Sequence, residues 1–146
     1  MAEALPLDDK TADLLRPALK LEHFFPQGLN AKLVRLLFPN SGLFRYAADE
    51  FILCQGEESK DLYVLCSGAV LITKTLGTAG VCLATLGAGA IFGEIALIRD
   101  GVRVANAIAS EPTRVFRLAF LDVGALVTRN PGLAAHLKDL ARRRLQ

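Results

Sequence analysis

Histidine and cysteine are scarce in this chain, and the few present are scattered. His23 and His136 lie near opposite ends with no ligand-like neighbours. A metal centre or a histidine-based catalytic set needs more convergence than that. The cysteines, Cys54, Cys66 and Cys82, are odd in number and show no C-x-x-C spacing. That leaves neither a closed disulfide set nor a zinc site, and reduced, buried thiols in a cytoplasmic protein are expected. The amino terminus lacks the basic segment and apolar run of a secretory signal. Charge is absent from residues 75–93, but Gly77, Gly80, Gly87, Gly89 and Gly93 interrupt them. They read as turns between short strands, and no membrane span is expected. A net charge of +2 carries no nucleic-acid footprint, and the one dense basic cluster, Arg142-Arg143-Arg144, reads first as a solvated helix face.

What is present describes an ordinary globular chain. Its 146 residues, 52% hydrophobic and 22% charged, suffice for one domain with a real core. From Lys10 to Phe38 apolar residues recur at helical spacing: Leu14, Leu15, Ala18 and Leu19, then Leu33, Val34, Leu36 and Leu37 after Pro26-Gln27-Gly28. This predicts two short helices. From Ser41 to Leu118 short Val/Ile/Leu/Tyr runs alternate with Gly, Asp, Ser and Pro, which predicts seven or eight strands of an antiparallel sandwich or barrel. Alternation from Val102 onward sets Arg103 on one strand face with Ala105, Ala107 and Ala109, and Val104 and Ile108 on the other as ordinary packing. Such a face is either a lined recess or a small-residue surface against a helix. Residues 119–146 turn helical again. Phe120, Leu121, Val123, Leu126 and Val127 form one segment, Asn130-Pro131 supplies an N-cap and first helical position, and Leu133, Leu137, Leu140 and Ala141 form a stripe on the last helix. No repeat or linker divides the chain, so residues 1–146 read as a single domain.

The most informative stretch runs from Phe92-Gly93-Glu94-Ile95-Ala96-Leu97 through Ile98-Arg99-Asp100-Gly101-Val102 to Arg103. It sets a carboxylate and a guanidinium on either side of a short turn able to offer backbone N–H groups. A phosphate bearing a sugar suits that arrangement. The Arg fork takes the anion, amides at the start of a helical turn donate to the same oxygens, and the carboxylate accepts a ribose hydroxyl. That chemistry is recognition and not turnover. By themselves these residues equally fit a Glu94–Arg103 ion pair across a loop, with Gly93 serving a positive-φ turn.

Residues 42–118 resemble the cyclic nucleotide-binding domain shared by catabolite-activator-type regulators, regulatory subunits of cyclic-nucleotide-dependent kinases and cyclic-nucleotide-gated channels. Three stretches match in order: Phe51 through Gly56-Glu57, Asp61-Leu62-Tyr63-Val64-Leu65 with Gly68, and Leu86 to Ala105 with its FGEIAL and following Arg. Ala109 to Leu118 continues with the Glu-Pro turn and last strand. The resemblance implies an α+β, mainly β fold: an antiparallel eight-stranded β-roll or jelly-roll barrel over 41–118, an N-terminal helical segment over 10–40, and two C-terminal helices over 119–146. It implies a phosphate-binding cassette at 92–105. There Glu94 would accept the ribose 2′-hydroxyl, Gly93 would let the backbone approach the sugar, and Arg103 would pair with the cyclic phosphate. The amides of Ile95, Ala96 and Val104, with Ala105 beside them, would complete the cradle. Val81, Cys82 and Leu83 resemble base-pocket positions, and Leu137, Leu140 and Arg144 resemble a lid over the base, packing on the roll being the alternative in both cases. Gly56 and Gly68 read as turn glycines. Two departures stand out: Asn106 sits where the family usually has Thr or Ser, and the turn Leu86-Gly87-Ala88-Gly89 lacks the usual proline.

The resemblance therefore implies a non-enzymatic sensor that couples a cyclic nucleotide to movement of its C-terminal helices, with no cofactor, no metal and no catalytic residue. Val104 stands where domains tuned for cyclic GMP often carry a hydroxyl, so cyclic AMP is expected, with cyclic GMP and cyclic dinucleotides left open. One alternative is a ligand-free β-roll scaffold for protein interaction or oligomerisation. Another, an enzyme on a related roll such as a cupin, would need clustered metal ligands or a base and nucleophile pair. Because the chain stops at Gln146 with no helix-turn-helix after it, no direct DNA binding is expected. The effector is not identified, and a homo-oligomer through the last helix and a cytoplasmic location complete the expectations.

Overall fold

Short polar side chains set the helix boundaries. Asp8 Oδ1 accepts from Thr11 N at 2.7 Å to open α1 (Asp9–Ala18), and Asn30 Oδ1 accepts from Leu33 N at 2.9 Å to open α2 (Ala31–Leu37). The computed structural model describes residues 2–97 and 101–145; Ile98, Arg99 and Asp100, inside the stretch singled out above, lie outside the described residues. In chain order the strands are β1 (Glu3–Leu5), β2 (Gly42–Tyr46), β3 (Phe51–Leu53), β4 (Leu62–Ser67), β5 (Val70–Leu76), β6 (Ala79–Leu86), β7 (Ile91–Phe92), β8 (Asn106–Ala109) and β9 (Thr113–Leu118). A 3₁₀ turn over Glu94–Leu97 follows β7, and α3 (Phe120–Arg129) and α4 (Pro131–Leu145) close the chain.

The strands form two antiparallel sheets, ordered β1-β2-β9-β4-β7 and β3-β8-β5-β6. This is the expected β-roll flanked by helices. It carries one more strand than expected, because β1 pairs with β2, where Glu3 also forms an ion pair with Arg45. Three residues are too few to show a period, and the partner strand supplies the order. A second difference concerns Arg103, which does not share a strand face with Ala105, Ala107 and Ala109. Strand β8 begins only at Asn106; the preceding residues pair with the loop after β3, through Arg103 N to Glu57 O at 2.8 Å and Gly56 N to Arg103 O at 2.8 Å. Gly56 and Gly68 take φ of 91° as turn residues.

Strand β4 is buried on both faces and sits between two cores. Leu62 and Val64 join Leu15, Leu19, Val34 and Phe116 under the helices, while Tyr63 and Leu65 join Val70, Phe92 and Val115 between the sheets. The pleat alone accounts for that division. In α4, Leu133, Leu137 and Ala141 are buried at helical spacing and seat the helix on the first of these cores. Its start is fixed by Asn130, whose Oδ1 accepts from Leu133 N at 3.1 Å and whose Nδ2 donates to Leu19 O and Lys20 O at the end of α1. Among the described residues, no helix is long and apolar enough to cross a membrane.

The thiols depart from expectation: Cys54 and Cys66 are half-buried and Cys82 is exposed on β6. Burial pushes the Cys66 thiol up to about 12. Above pH 9 the unfolded chain sheds this proton while the folded chain keeps it, so stability falls with rising pH. Urea midpoints are expected to decline from about pH 9 towards 12, and Cys66→Ala to flatten that decline. Asn130→Ala is expected to destabilise by about 1–2 kcal/mol, read from urea unfolding, with Asn130→Asp restoring the cap but not the two bonds to α1.

Candidate functional site

Strand β7 ends at Phe92, and Gly93 turns the chain with φ of 89° into the 3₁₀ turn that carries Glu94. A side chain at Gly93 would meet Arg103 Nη1 at 2.9 Å and Asp61 O at 3.1 Å. Glycine is therefore required both for the positive φ and for the guanidinium packed against it.

Arg103 is 3% exposed. Its Nη1 donates to Gly93 O at 2.9 Å, and its Nη2 donates to Ser59 Oγ at 2.8 Å and Asp61 O at 2.9 Å. The guanidinium carbon lies 5.9 Å from the Tyr63 ring centre, and that ring stacks on Phe92 at 5.3 Å. Nε has no partner, and among the described residues no carboxylate comes within ion-pairing distance. Burial draws Arg103 below the usual arginine range, opposed by Tyr63, Asp61, Glu57 and Glu94, yet a guanidinium stays charged at neutral pH. Burial also pushes the Tyr63 phenol up to about 12, so it too stays protonated.

Glu94 does not pair with Arg103. It is 1% exposed, and its Oε1 accepts at 2.9 Å from Nη1 of Arg144 in the last turn of α4. The same Nη1 donates to Ile91 O at 2.6 Å. Glu94 Oε2 is buried and has no partner among the described residues. The basic cluster is accordingly only partly a solvated face. Arg142 and Arg143 are exposed, with Arg143 paired to Asp139 at 3.1 Å, whereas Arg144 turns inward. The helical period explains this, since Arg144 extends the buried face of Leu133, Leu137 and Ala141 by one turn.

A cavity of about 590 Å³ opens between the 3₁₀ turn, the start of β8, strands β5 and β6 and the end of α4. That volume suits a small organic ligand. All of the cassette candidates line it: Gly93, Glu94, Ile95, Ala96, Arg103, Val104 and Ala105. Val104 therefore faces the recess instead of serving as ordinary strand packing. Of the three β6 candidates only Leu83 lines the cavity. Val81 and Cys82 are exposed on an edge strand that pairs with β5 alone. Leu137 and Leu140 do not reach the cavity. The first is buried in the helical core and the second packs against it, which is the packing alternative for these positions.

Several site residues carried no signal in the sequence. Ser59 and Asp61 lie in an irregular loop, and Asp61 acts on Arg103 through its carbonyl, which any residue possesses. Its carboxylate instead accepts from Phe120 N at 2.9 Å and so ties the start of α3 to the same loop. Asn106, noted only as a departure, is buried and bridges three segments. Its Oδ1 accepts from Gln55 N at 2.8 Å, and its Nδ2 donates to Thr73 Oγ1 and Thr75 Oγ1 at 3.3 and 3.4 Å. A Thr or Ser hydroxyl has a single O–H and could not donate to both threonines while accepting from Gln55 N. Lys74 and Arg143 add positive charge at the rim. Among the described residues, no group of three or more His, Cys, Asp or Glu is arranged to hold a metal ion.

Comparison with known proteins agrees with this geometry. The sequence model of the cyclic nucleotide-binding domain matches residues 43–130. The chain is 39% identical over 102 residues to the cyclic AMP receptor protein of Thermus thermophilus, covering 69% of this chain and 47% of that protein. It thus spans about half the length of that relative. A cyclic nucleotide-binding domain from Methylobacillus flagellatus superposes with a TM-score of 0.70 at 26% identity, covering 99% of this chain and 81% of the other. The EAL enzyme Bd1971 in its cAMP-bound form superposes with a TM-score of 0.60 at 29% identity, over 70% of this chain and 28% of the enzyme.

Gly93→Ala is expected to destabilise the fold by about 1–3 kcal/mol and to displace the Arg103 guanidinium. Urea unfolding reads the first effect, and a crystal structure of the variant reads the second.

Proposed function

The chain belongs to the cyclic nucleotide-binding domain family, and from that premise we propose that it is a non-enzymatic sensor of cyclic AMP. The observation that carries this reading is the buried Arg103, which among the described residues has no carboxylate partner and lines the same cavity as Glu94, whose Oε2 has no partner among them either. A guanidinium has five N–H donors, of which Arg103 commits one to Gly93 O, one to Ser59 Oγ and one to Asp61 O. The remainder are available to a cyclic phosphate monoanion, aided by the amides of Ile95, Ala96 and Val104 at the cavity wall. Glu94 accepts the ribose 2′-hydroxyl, and the base lies among apolar groups such as Ile72 and Leu83.

An apolar Val104 beside Arg103 supports cyclic AMP over cyclic GMP, as does similarity to a protein named as a cyclic AMP receptor. Binding shifts the C-terminal helices to the extent that the ligand prefers one of their arrangements. An effector protein or domain, self-association through α4 and a cytoplasmic location belong to the same proposal.

Calorimetry with cyclic AMP and cyclic GMP tests it. Arg103→Ala is expected to lose about 2–5 kcal/mol of binding, or roughly thirty- to several-thousand-fold in affinity, with the unfolding transition recorded in parallel. Absence of binding to the wild-type chain, or unchanged affinity in the variant, overturns the assignment and favours the scaffold.

A further inference from the structure

A second cavity, of about 520 Å³, opens between the end of α1, the turn that joins β6 to β7 and one flank of α4. Among the described residues, Arg144 is the single lining residue that it shares with the cavity of Arg103. Its charged and titratable lining is all basic: Lys20, His136 and Arg144, with no carboxylate among the described lining residues. Each of the three is held in place and short of a counterion. Lys20 takes φ of 56°, its carbonyl accepts from Asn130 Nδ2 at 3.0 Å, and among the described residues its ammonium makes no ion pair. Arg144 commits Nη1 to Ile91 O and Glu94 Oε1, and its other N–H groups have no partner among the described residues. Burial holds the half-buried His136 imidazole below the usual histidine range; Lys20, Arg143 and Arg144 act in the same direction and Asp139 opposes them. Asp139 is itself paired with Arg143 at 3.1 Å, and residues 88–91 of the turn bring no charge.

We propose that this recess is a second ligand site, separate from the nucleotide cavity, which takes the phosphoryl group of a small organic phosphate between Lys20, His136 and Arg144. A tetrahedral oxyanion has acceptors for all three, and its bonds to them are charge-assisted. The phosphoryl group fills only part of the space, and Leu14, Ala18 and Leu140 offer an apolar wall to the rest of the molecule. An anion here favours the imidazolium form, so binding raises the titration of His136. Affinity is therefore greatest at low pH and declines as the pH rises through the titration of the bound state. The anion also relieves the repulsion between cations carried by the end of α1 and by α4.

The test follows the ring C–H signals of both histidines by NMR, with ionic strength held constant by chloride. His23, exposed in the loop after α1 and outside the recess, is the internal reference. Sulfate, which keeps its charge across the range, is expected to displace the His136 signals saturably, to move their titration midpoint upward and to leave His23 in place. It is expected to bind about tenfold more tightly at about pH 5 than at about pH 8. At neutral pH phenyl phosphate is expected to bind about fivefold more tightly than inorganic phosphate. Lys20→Ala is expected to weaken sulfate by up to about fivefold with the pH dependence kept, whereas His136→Gln, read at the Gly89 amide, loses that dependence. The exposed Arg142→Ala serves as control and is expected to respond as the wild type does. Equal responses of the two histidines, an unmoved His136 midpoint or undiminished binding in Lys20→Ala overturns the site. Inorganic phosphate binding as tightly as phenyl phosphate overturns the assignment to an organic phosphate. No cyclic nucleotide enters these titrations, so their failure and failure of the nucleotide assignment are distinguishable.

Discussion

A buried guanidinium with no carboxylate partner among the described residues organises this molecule around its cavity. Arg103 is held by two backbone carbonyls and one hydroxyl, neutral dipoles that orient a cation without cancelling its charge. Several features make sense as consequences. Gly93 must be glycine so that the guanidinium can lie against it. The loop after β3 pairs with the backbone of residues 101–103 instead of extending a sheet, bringing Ser59 and the Asp61 carbonyl within reach. Tyr63 and Phe92 stack beneath. A carboxylate in place of these dipoles would neutralise Arg103 and remove its attraction for an anion. Leaving a buried cation only partly compensated costs stability, and an anionic ligand recovers it through binding linkage.

Glu94 is treated in the opposite manner. It lies close in sequence to Arg103, yet its counterion comes from the far end of the chain, on a helix whose own start is fixed by Asn130 against the end of α1. The charges of the cavity are thus kept apart by being satisfied from different parts of the fold. A direct Glu94–Arg103 pair would have neutralised both and closed the recess to a phosphate. Asn106 serves this separation as a brace, since its contacts to Gln55, Thr73 and Thr75 hold the loop carrying the Arg103 partners against β5.

Much of this was legible in the sequence, and for identifiable reasons. Helical spacing around Leu15 and Leu19, the Asn130-Pro131 boundary and the strand runs of the roll all depend on local periodicity and short-range capping, which a chain displays openly. Glu94 and Arg103 were legible because ionisable residues flanking a Gly-containing turn are chemically conspicuous. The partner of Glu94 was not, because ion pairs between distant segments leave no local trace. One signal did exist: Arg144 stands where the apolar stripe of Leu133, Leu137 and Ala141 would place its next buried residue, and a cation there requires a partner. Val81 and Cys82 misled because their apolar character fits a pocket wall and an exposed edge strand equally well. β1 and the late start of β8 were set by partner strands and by the pairing of residues 101–103 with a loop, neither of which alternation can reveal.

The two ends of the cassette therefore differ in what they can transmit. Among the described residues, the groups that hold Arg103 belong to the roll itself: Gly93 after β7, Ser59 and Asp61 in the loop before β4, and Tyr63 within it. These are fixed by sheet pairing and a close-packed core, where small displacements meet steep resistance. Charge neutralisation at Arg103 can thus contribute affinity while moving little. Glu94, in contrast, is held by a side chain on α4, a helix joined to the roll by one packed face, by this ion pair and by the bond from Arg144 to Ile91 O. The two ends of the cassette are in this way held from different parts of the fold, and among the described residues it is the Glu94 end that is tied to α4.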